Sequence, residues 1–324
     1  MRSLALGTSI LILAGVSVAG CGGSGPSGPA ADRAAGCRPV SGNDLVVLVD
    51  DKHLQTVDNV VPAIHRPRAT PALVKAVDKV SASLTTDRLV ALNRQVDIDR
   101  KTASSVADGY VRDSGVAEGL SGGSGPIRVG AANFGESKIL ATIYARALSA
   151  AGFDATVREV GNRELYLRSL SSGEIDVMPE YVGTLTEFLN QQQNGSQAAT
   201  RASGDLNATM GALTELGRGA NLVFGLPARA ADQNAFAVTR AFAETNGVRT
   251  LSDVATRCAG GSLVLGGPTE CQQRPFCRSG LTEVYGITFT NFVVLDTGGP
   301  LTKTALRQGK IQIGLVFSSD GSLG

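Results

Sequence analysis

The 324-residue sequence has no tryptophan, five tyrosines, ten phenylalanines and only two histidines, His53 and His65. With aromatics at 5%, a pocket walled by rings must draw on few candidates. Two sequence-remote histidines and no Cys-x-x-Cys pair leave no ligand set for zinc. Nor is there a Ser-His-Asp or Cys-His pairing for nucleophilic catalysis. No metal, cofactor or enzymatic turnover is therefore expected. Charge of either sign is not in excess: 30 basic against 29 acidic residues give a net +1. Without a basic stripe or an acidic run, nucleic acid is excluded as a partner. Beyond the first twenty residues no apolar run is long enough to meet a bilayer. What remains, 43% apolar and 18% charged, is ordinary for a globular core and long enough for two lobes.

The N-terminus is the most legible part. Arg2 is followed by an uncharged, largely apolar run of 16 residues from Leu4 to Ala19. A run this short, ending in small residues, reads as a signal peptide and not as a membrane span. Val18-Ala19-Gly20-Cys21 resembles a bacterial lipobox, in which the cysteine is acylated, so residues 1–21 are assigned to a lipoprotein signal. Residues 22–44, rich in Gly, Pro, Ser and Ala, read as a flexible tether. The expected location is extracytoplasmic, anchored to the outer face of the cell membrane by lipid on Cys21. Four further cysteines, Cys37, Cys258, Cys271 and Cys277, suggest disulfides in an exported chain. Cys271–Cys277 is the easiest bridge, and full pairing would then join Cys37 to Cys258; the connectivity stays open.

From Leu45 the pattern becomes regular. Leu45–Val49 reads as a buried strand and Asn59–Ile64 as an extended segment whose Pro62 suggests an edge or a strand end. Helical spacing covers 71–80, 84–93 and 102–113, with N-cap chemistry at Thr85-Thr86-Asp87. The stretch from Gly119 to Pro126 is a composition break; without a preceding strand or a following Gly-Lys-Ser/Thr it reads as a linker and not as a phosphate loop. A βαβαβ rhythm then begins at Ile127, implying parallel strands joined by helical crossovers. Ligands of such sheets sit at the carboxyl ends of the strands, so chemistry should collect after Gly130, Met178, Leu265 and Phe317.

Those loops carry recognisable words. Ile127-Arg-Val-Gly-Ala-Ala-Asn-Phe-Gly-Glu136, Ser172-Gly-Glu-Ile-Asp-Val-Met-Pro-Glu-Tyr-Val-Gly-Thr184, Glu270-Cys-Gln-Gln-Arg-Pro275, Gly280-Leu-Thr-Glu-Val-Tyr-Gly286 and Phe317-Ser-Ser-Asp320 resemble the glycine betaine/choline/carnitine-binding proteins of ABC importers. The order of the pieces differs from the family's. A segment like the family's closing part, Asp44–His53, Asn59–Pro62 and Leu84–Asn93, stands first here, which reads as a circular permutation with 119–125 as the joining linker. The resemblance implies an α/β, two-lobed, type II periplasmic-binding-protein-like clamshell. One lobe would hold 58–118 and 126–233, the other 45–57 and 234–324. A Cys37 disulfide would then restrain the loop that the permutation cuts.

The same resemblance implies the site. Family members cage a quaternary ammonium with tyrosine rings and hold a carboxylate with an arginine. Tyr181 matches a cage tyrosine, Thr184 a polar contact and Arg274 the carboxylate-binding arginine. Phe317 and Asn234 stand where cage tyrosines are common, Val57 approximately at another, and Ala132 near a lysine of some relatives. Asn133 and Phe134 complete the expected ligand-binding set, with Tyr166 as a further wall. The implied function is capture of a small osmoprotectant-like solute and delivery to an ABC permease and its cytoplasmic ATPase, by a monomer. The thinned cage also suits a phenolic or hydroxylated solute, and a ligand-sensing receptor would use the same clamshell.

Overall fold

A computed structural model describes residues 37–323. The signal segment, Cys21 and the first part of the tether, 22–36, lie outside the described residues. The chain runs through β1 (Leu45–Val47), β2 (Val60–His65), helices α1 (Pro71–Ser83), α2 (Thr86–Asp97) and α3 (Ala103–Ser114), then β3 (Pro126–Ala132), α4 (Gly135–Ala150), β4 (Asp154–Gly161), α5 (Arg163–Ser172) and β5 (Val177–Tyr181). It continues with α6 (Val182–Asn194), α7 (Leu206–Gly219), β6 (Leu222–Phe224), β7 (Asn234–Thr239), α8 (Arg240–Asn246), α9 (Leu251–Arg257), β8 (Val264–Gly267), α10 (Arg278–Tyr285), β9 (Asn291–Val294), α11 (Pro300–Arg307) and β10 (Ile313–Phe317). The expected helices 71–80, 84–93 and 102–113 are present; the first two run three and four residues further at their C-termini, and the third is shifted by one residue. Thr85 does cap α2, accepting from the backbone N–H of Arg88. Strand β6 and helix α8 went unread in the sequence, one being three residues long and the other seven.

Two five-stranded sheets result, ordered β4-β3-β5-β2-β6 and β9-β8-β10-β7-β1. In each, the first three strands are parallel, the fourth antiparallel to its neighbours, and the fifth antiparallel to the fourth. Residue alternation lets each fourth strand serve two cores. In β2, Val60 and Ile64 pack with α1 to α4, whereas Val61 and Ala63 face the layer of α5 to α7. In β7, Phe236 and Val238 join one core, and Ala235 and Ala237 the other.

The reading of Pro62 as an edge or strand-end residue is corrected: β2 lies inside its sheet, between β5 and β6. Pro62 stands opposite Pro179, a register in which neither residue is asked for an N–H toward the other. On its other side the Pro62 carbonyl still accepts from Gly225 (2.9 Å). The Gly-rich stretch at 119–125 is an irregular connection with positive φ at Gly119, Gly122 and Gly125. It docks by a backbone bond from Gly123 to Ala151 (2.8 Å), where a side chain at 123 would collide with Phe153.

Three backbone segments run between the sheets and are laced together. Asp232 N–H donates to the Asp58 carbonyl (3.0 Å), Ser318 N–H to the Gln233 carbonyl (2.9 Å), and Gln233 Nε2 to the Thr56 carbonyl (2.9 Å). Disulfides join Cys37 to Cys258 and Cys271 to Cys277.

Candidate functional site

A cavity of about 80 Å³ opens between the two sheets, at the carboxyl ends of β3, β5, β8 and β10. All seven residues expected to meet a ligand line it: Tyr181, Thr184, Arg274, Phe317, Asn234, Asn133 and Phe134. Tyr166 does too. The rings form a continuous run. Phe134 lies 6.3 Å from Tyr181 and 5.6 Å from Phe317 between centroids, tilted at 33° and 34°. Tyr181 ends β5 and Phe134 caps α4 beside the first sheet, while Phe317 ends β10 of the other, so the run spans both lobes.

Tyr181 is fixed from behind. Its hydroxyl donates to Glu136 Oε1 (2.6 Å), while Glu136 Oε2 accepts from Asn93 Nδ2 and Ser319 Oγ (both 2.6 Å). Asp232 Oδ1 in turn accepts from the Ser319 N–H (2.9 Å). Burial pushes the Glu136 and Asp232 carboxyls up from their ordinary range, and for Asp232 the neighbouring Glu136 adds to the effect. Two desolvated carboxyls side by side cannot both ionise readily.

Thr184 sits in the first turn of α6, a turn held by the hinge. Asp58 Oδ1 accepts from the backbone N–H groups of Gly183 (2.8 Å) and Thr184 (2.9 Å), where a carboxylate complements the helix dipole. Gly183 is required there, because a Cβ would meet the Val57 carbonyl. Burial nonetheless outweighs these bonds and the attraction of Arg163, raising Asp58 to about 7. Next to it, Arg163 forks onto Glu180, Nε to Oε1 at 3.0 Å and Nη2 to Oε2 at 2.7 Å, and Nη2 also reaches Thr184 Oγ1 (3.0 Å). Tyr166 donates its hydroxyl to the same Glu180 (2.7 Å).

Arg274 stands in the turn between β8 and α10. Its Nη2 bonds both oxygens of Glu164 (3.1 Å each), on α5 of the other lobe, and lies 3.8 Å from Glu270. The guanidinium thus ties the lobes together across the cleft mouth. Asn234 Nδ2 donates to the Phe276 carbonyl (3.0 Å). Because Glu164 is 40% exposed, the pair is worth no more than about 1 kcal/mol. Arg274→Ala is expected to leave the unfolding midpoint nearly unchanged while enlarging the radius of gyration seen by small-angle scattering. An unchanged scattering profile would contradict the tie.

Sequence reading missed Asp58, Asp232, Arg163 and Glu270, all lining the cavity. Asp232 lies two residues before Asn234, and Glu270 opens the word that carries Arg274, so proximity to recognised positions was a usable signal. Asp58 and Arg163 had none: they reach the cavity only through the hinge and the packing of α5.

Two sheets of one topology, hinged over an aromatic-lined cleft, define the architecture of a two-lobed binding protein. Among the described residues no helix is long and apolar enough to cross a membrane. Residues 40–113 and 125–324 match the model of the OpuAC family, the substrate binding domain of ABC-type glycine betaine transport systems, and the chain belongs to that family. A glycine-betaine-binding protein of Pseudomonas aeruginosa is 28% identical over 204 residues, which are 61% of this chain and 63% of that protein. The chain thus spans under two thirds of that relative's length. A substrate binding protein from Microbacterium hydrocarbonoxydans, complexed with 4-hydroxybenzoate hydrazide, is 19% identical at a TM-score of 0.29, covering 58% of this chain and 46% of that one. OppA of Haemophilus influenzae, complexed with the peptide RPPGFSPFR, is 13% identical at 0.28, covering 57% and 44%. Overlaps of this extent carry no argument about fold or ligand.

Proposed function

We propose that the protein is the extracytoplasmic receptor of an ABC importer, which closes its two lobes on a small quaternary ammonium or related solute and hands it to a permease without chemical turnover. The observation that carries this reading is the run of Tyr181, Phe134 and Phe317 along a cavity shared by both lobes. A quaternary ammonium offers no hydrogen bonds, and ring faces attract it in a desolvated setting. Membership of the glycine betaine family supports the solute class. The lipid anchor on Cys21 belongs to the same reading and keeps the receptor beside its permease. So does the circular permutation. It is supported by β1 and β2, from the leading segment, completing sheets whose parallel cores begin only at Pro126. Calorimetry of the full chain against glycine betaine, choline, carnitine and small phenols tests the function. One-to-one binding of a quaternary ammonium, with compaction in small-angle scattering, is expected. Silence across the panel removes the reading, and heat from phenols alone replaces the solute class.

A further inference from the structure

Behind Tyr181 lies a cluster of polar groups centred on Ser319, just beyond β10 and 1% exposed. Three bonds hold this one residue. Its N–H donates to Asp232 Oδ1 (2.9 Å), its hydroxyl donates to Glu136 Oε2 (2.6 Å), and its carbonyl accepts from Asn93 Nδ2 (3.1 Å). Glu136 stands in the first turn of α4 and Asn93 on α2, both helices of the first lobe. Asp232 belongs to one of the segments that run between the sheets, and Ser319 follows a strand of the second sheet. The cluster is therefore complete only in this arrangement of the lobes.

Glu136 and Asp232 are 6% and 4% exposed, and among the described residues no cationic side chain bonds either. Their surroundings differ. Glu136 accepts from three donors, Asn93, Ser319 and the Tyr181 hydroxyl, and the dipole of α4 also favours an anion there. Asp232 accepts from the Ser319 N–H and, at 3.4 Å, from the Ser318 hydroxyl, both on Oδ1. Its Oδ2 receives no bond among the described residues, which leaves that oxygen to carry a proton beside an anionic neighbour.

We propose that Glu136 and Asp232 share one proton that acts as the latch of the hinge, keeping the lobes together around Ser319 while it is bound and releasing them when it leaves. With the proton, an acid and an anion sit side by side. Without it, two anions repel one another where little water can screen them. Opening draws Ser319 away from Glu136 and wets both carboxyls, which then ionise as ordinary ones. Because Glu136 also holds the Tyr181 hydroxyl, the same event loosens a ring of the cleft. The inference concerns the hinge and holds whichever solute the cleft takes.

Burial and the Glu136 charge raise the Asp232 carboxyl in the closed form. Above the ordinary carboxylate range, closing therefore takes up a proton, and closure weakens as pH rises through the raised value. The other charged groups around the pair do not reverse this sign. Asp58 adds a further acid, Arg163 is forked onto Glu180, and Lys303 on α11 is held by Asp320 and Asp97. Tyr181 stays a neutral donor, its phenol pushed up by burial.

Small-angle scattering of the ligand-free full chain from about pH 6 to about pH 9 tests the latch. One proton is coupled to opening, so the ratio of open to closed molecules should grow by up to about tenfold per pH unit, seen as a rising radius of gyration at constant far-UV circular dichroism. Asp232→Asn keeps the Oδ1 acceptor and cannot ionise, and it should stay compact across the range. Glu136→Gln removes the other charge and should flatten the response too, which decides the matter should the first variant not fold. Asp58→Asn silences the neighbouring acid and should keep the response, displaced to lower pH. A flat wild-type profile overturns the inference, as does a response that survives Asp232→Asn or Glu136→Gln. Expansion accompanied by lost secondary structure is unfolding and overturns it as well. Because no ligand enters the measurement, a solute panel that stays silent removes the proposed function and leaves this test intact.

Discussion

Glu180→Ala is expected to lower the unfolding free energy by roughly 3–5 kcal/mol, the largest loss from any single cleft substitution. Glu180 is wholly buried in β5, and four groups converge on its carboxylate: Arg163 Nε and Nη2, the Tyr166 hydroxyl and the Tyr181 N–H. Removing the carboxylate strands a buried guanidinium and a buried phenol at once. The cost is therefore the desolvation of groups left unpaired, and not the net worth of the ion pair. That distinction has a consequence of its own. Glu180→Leu combined with Arg163→Met should recover most of the loss, since replacing both charges by apolar groups leaves no buried charge stranded, and only the Tyr166 hydroxyl and the Tyr181 N–H lose a partner. Urea unfolding of the wild type, the single variant and the double variant reads both statements. A single-variant loss below about 1 kcal/mol would mean that the pair is solvated in solution.

The second large effect concerns the cysteines. Cys37→Ala together with Cys258→Ala is expected to destabilise the protein by roughly 2–5 kcal/mol, seen in thermal or urea unfolding under non-reducing conditions. The bridge spans a sequence separation of 221, so in the chain-entropy account it restrains the unfolded chain by about 5 kcal/mol. The Cys271–Cys277 bridge spans 6, and closing so short a loop is worth only about 2 kcal/mol. The two bridges should therefore separate by phenotype. Both sulfurs of the first are buried in the core around β7, and the Cys37 carbonyl accepts from Gln312 Nε2 (3.1 Å), so its loss is felt in stability. Cys271 and Cys277 line the cavity and bracket Arg274, so their loss should be felt in ligand affinity and closure. Non-reducing peptide mapping that finds Cys37 free would remove the prediction at its root.

The cleft was more legible than its electrostatics. Tyr181, Thr184 and Phe134 stand at strand ends in words whose order announces alternating strands and helices, and an α/β sheet delivers strand ends to one rim. Local pattern and motif together place them. Among the acids of the cleft, Asp58 has no such marker. It acquires its position because the segment ahead of β2 runs from one sheet to the other, where the Asp58 carbonyl accepts from the Asp232 N–H. Arg274 illustrates the opposite case. Its word suggested a free guanidinium for a ligand, and only the packing of α5 brings Glu164 across the mouth to occupy it.

The sequence alone determined the alternation of strand and helix and the cap of α2, which follow from periodicity and short-range hydrogen bonding that neighbouring residues specify among themselves. Tyr181, Thr184, Arg274, Phe317, Asn234, Asn133 and Phe134 came from the family resemblance. The tertiary structure decided the sheet interior around Pro62, the pairing of arginines with glutamates, and the burial of Asp58, Asp232 and Glu136 without a counter-ion. These depend on which distant segments exclude water from one another, and desolvation is a property of the packed ensemble of atoms that no local pattern encodes.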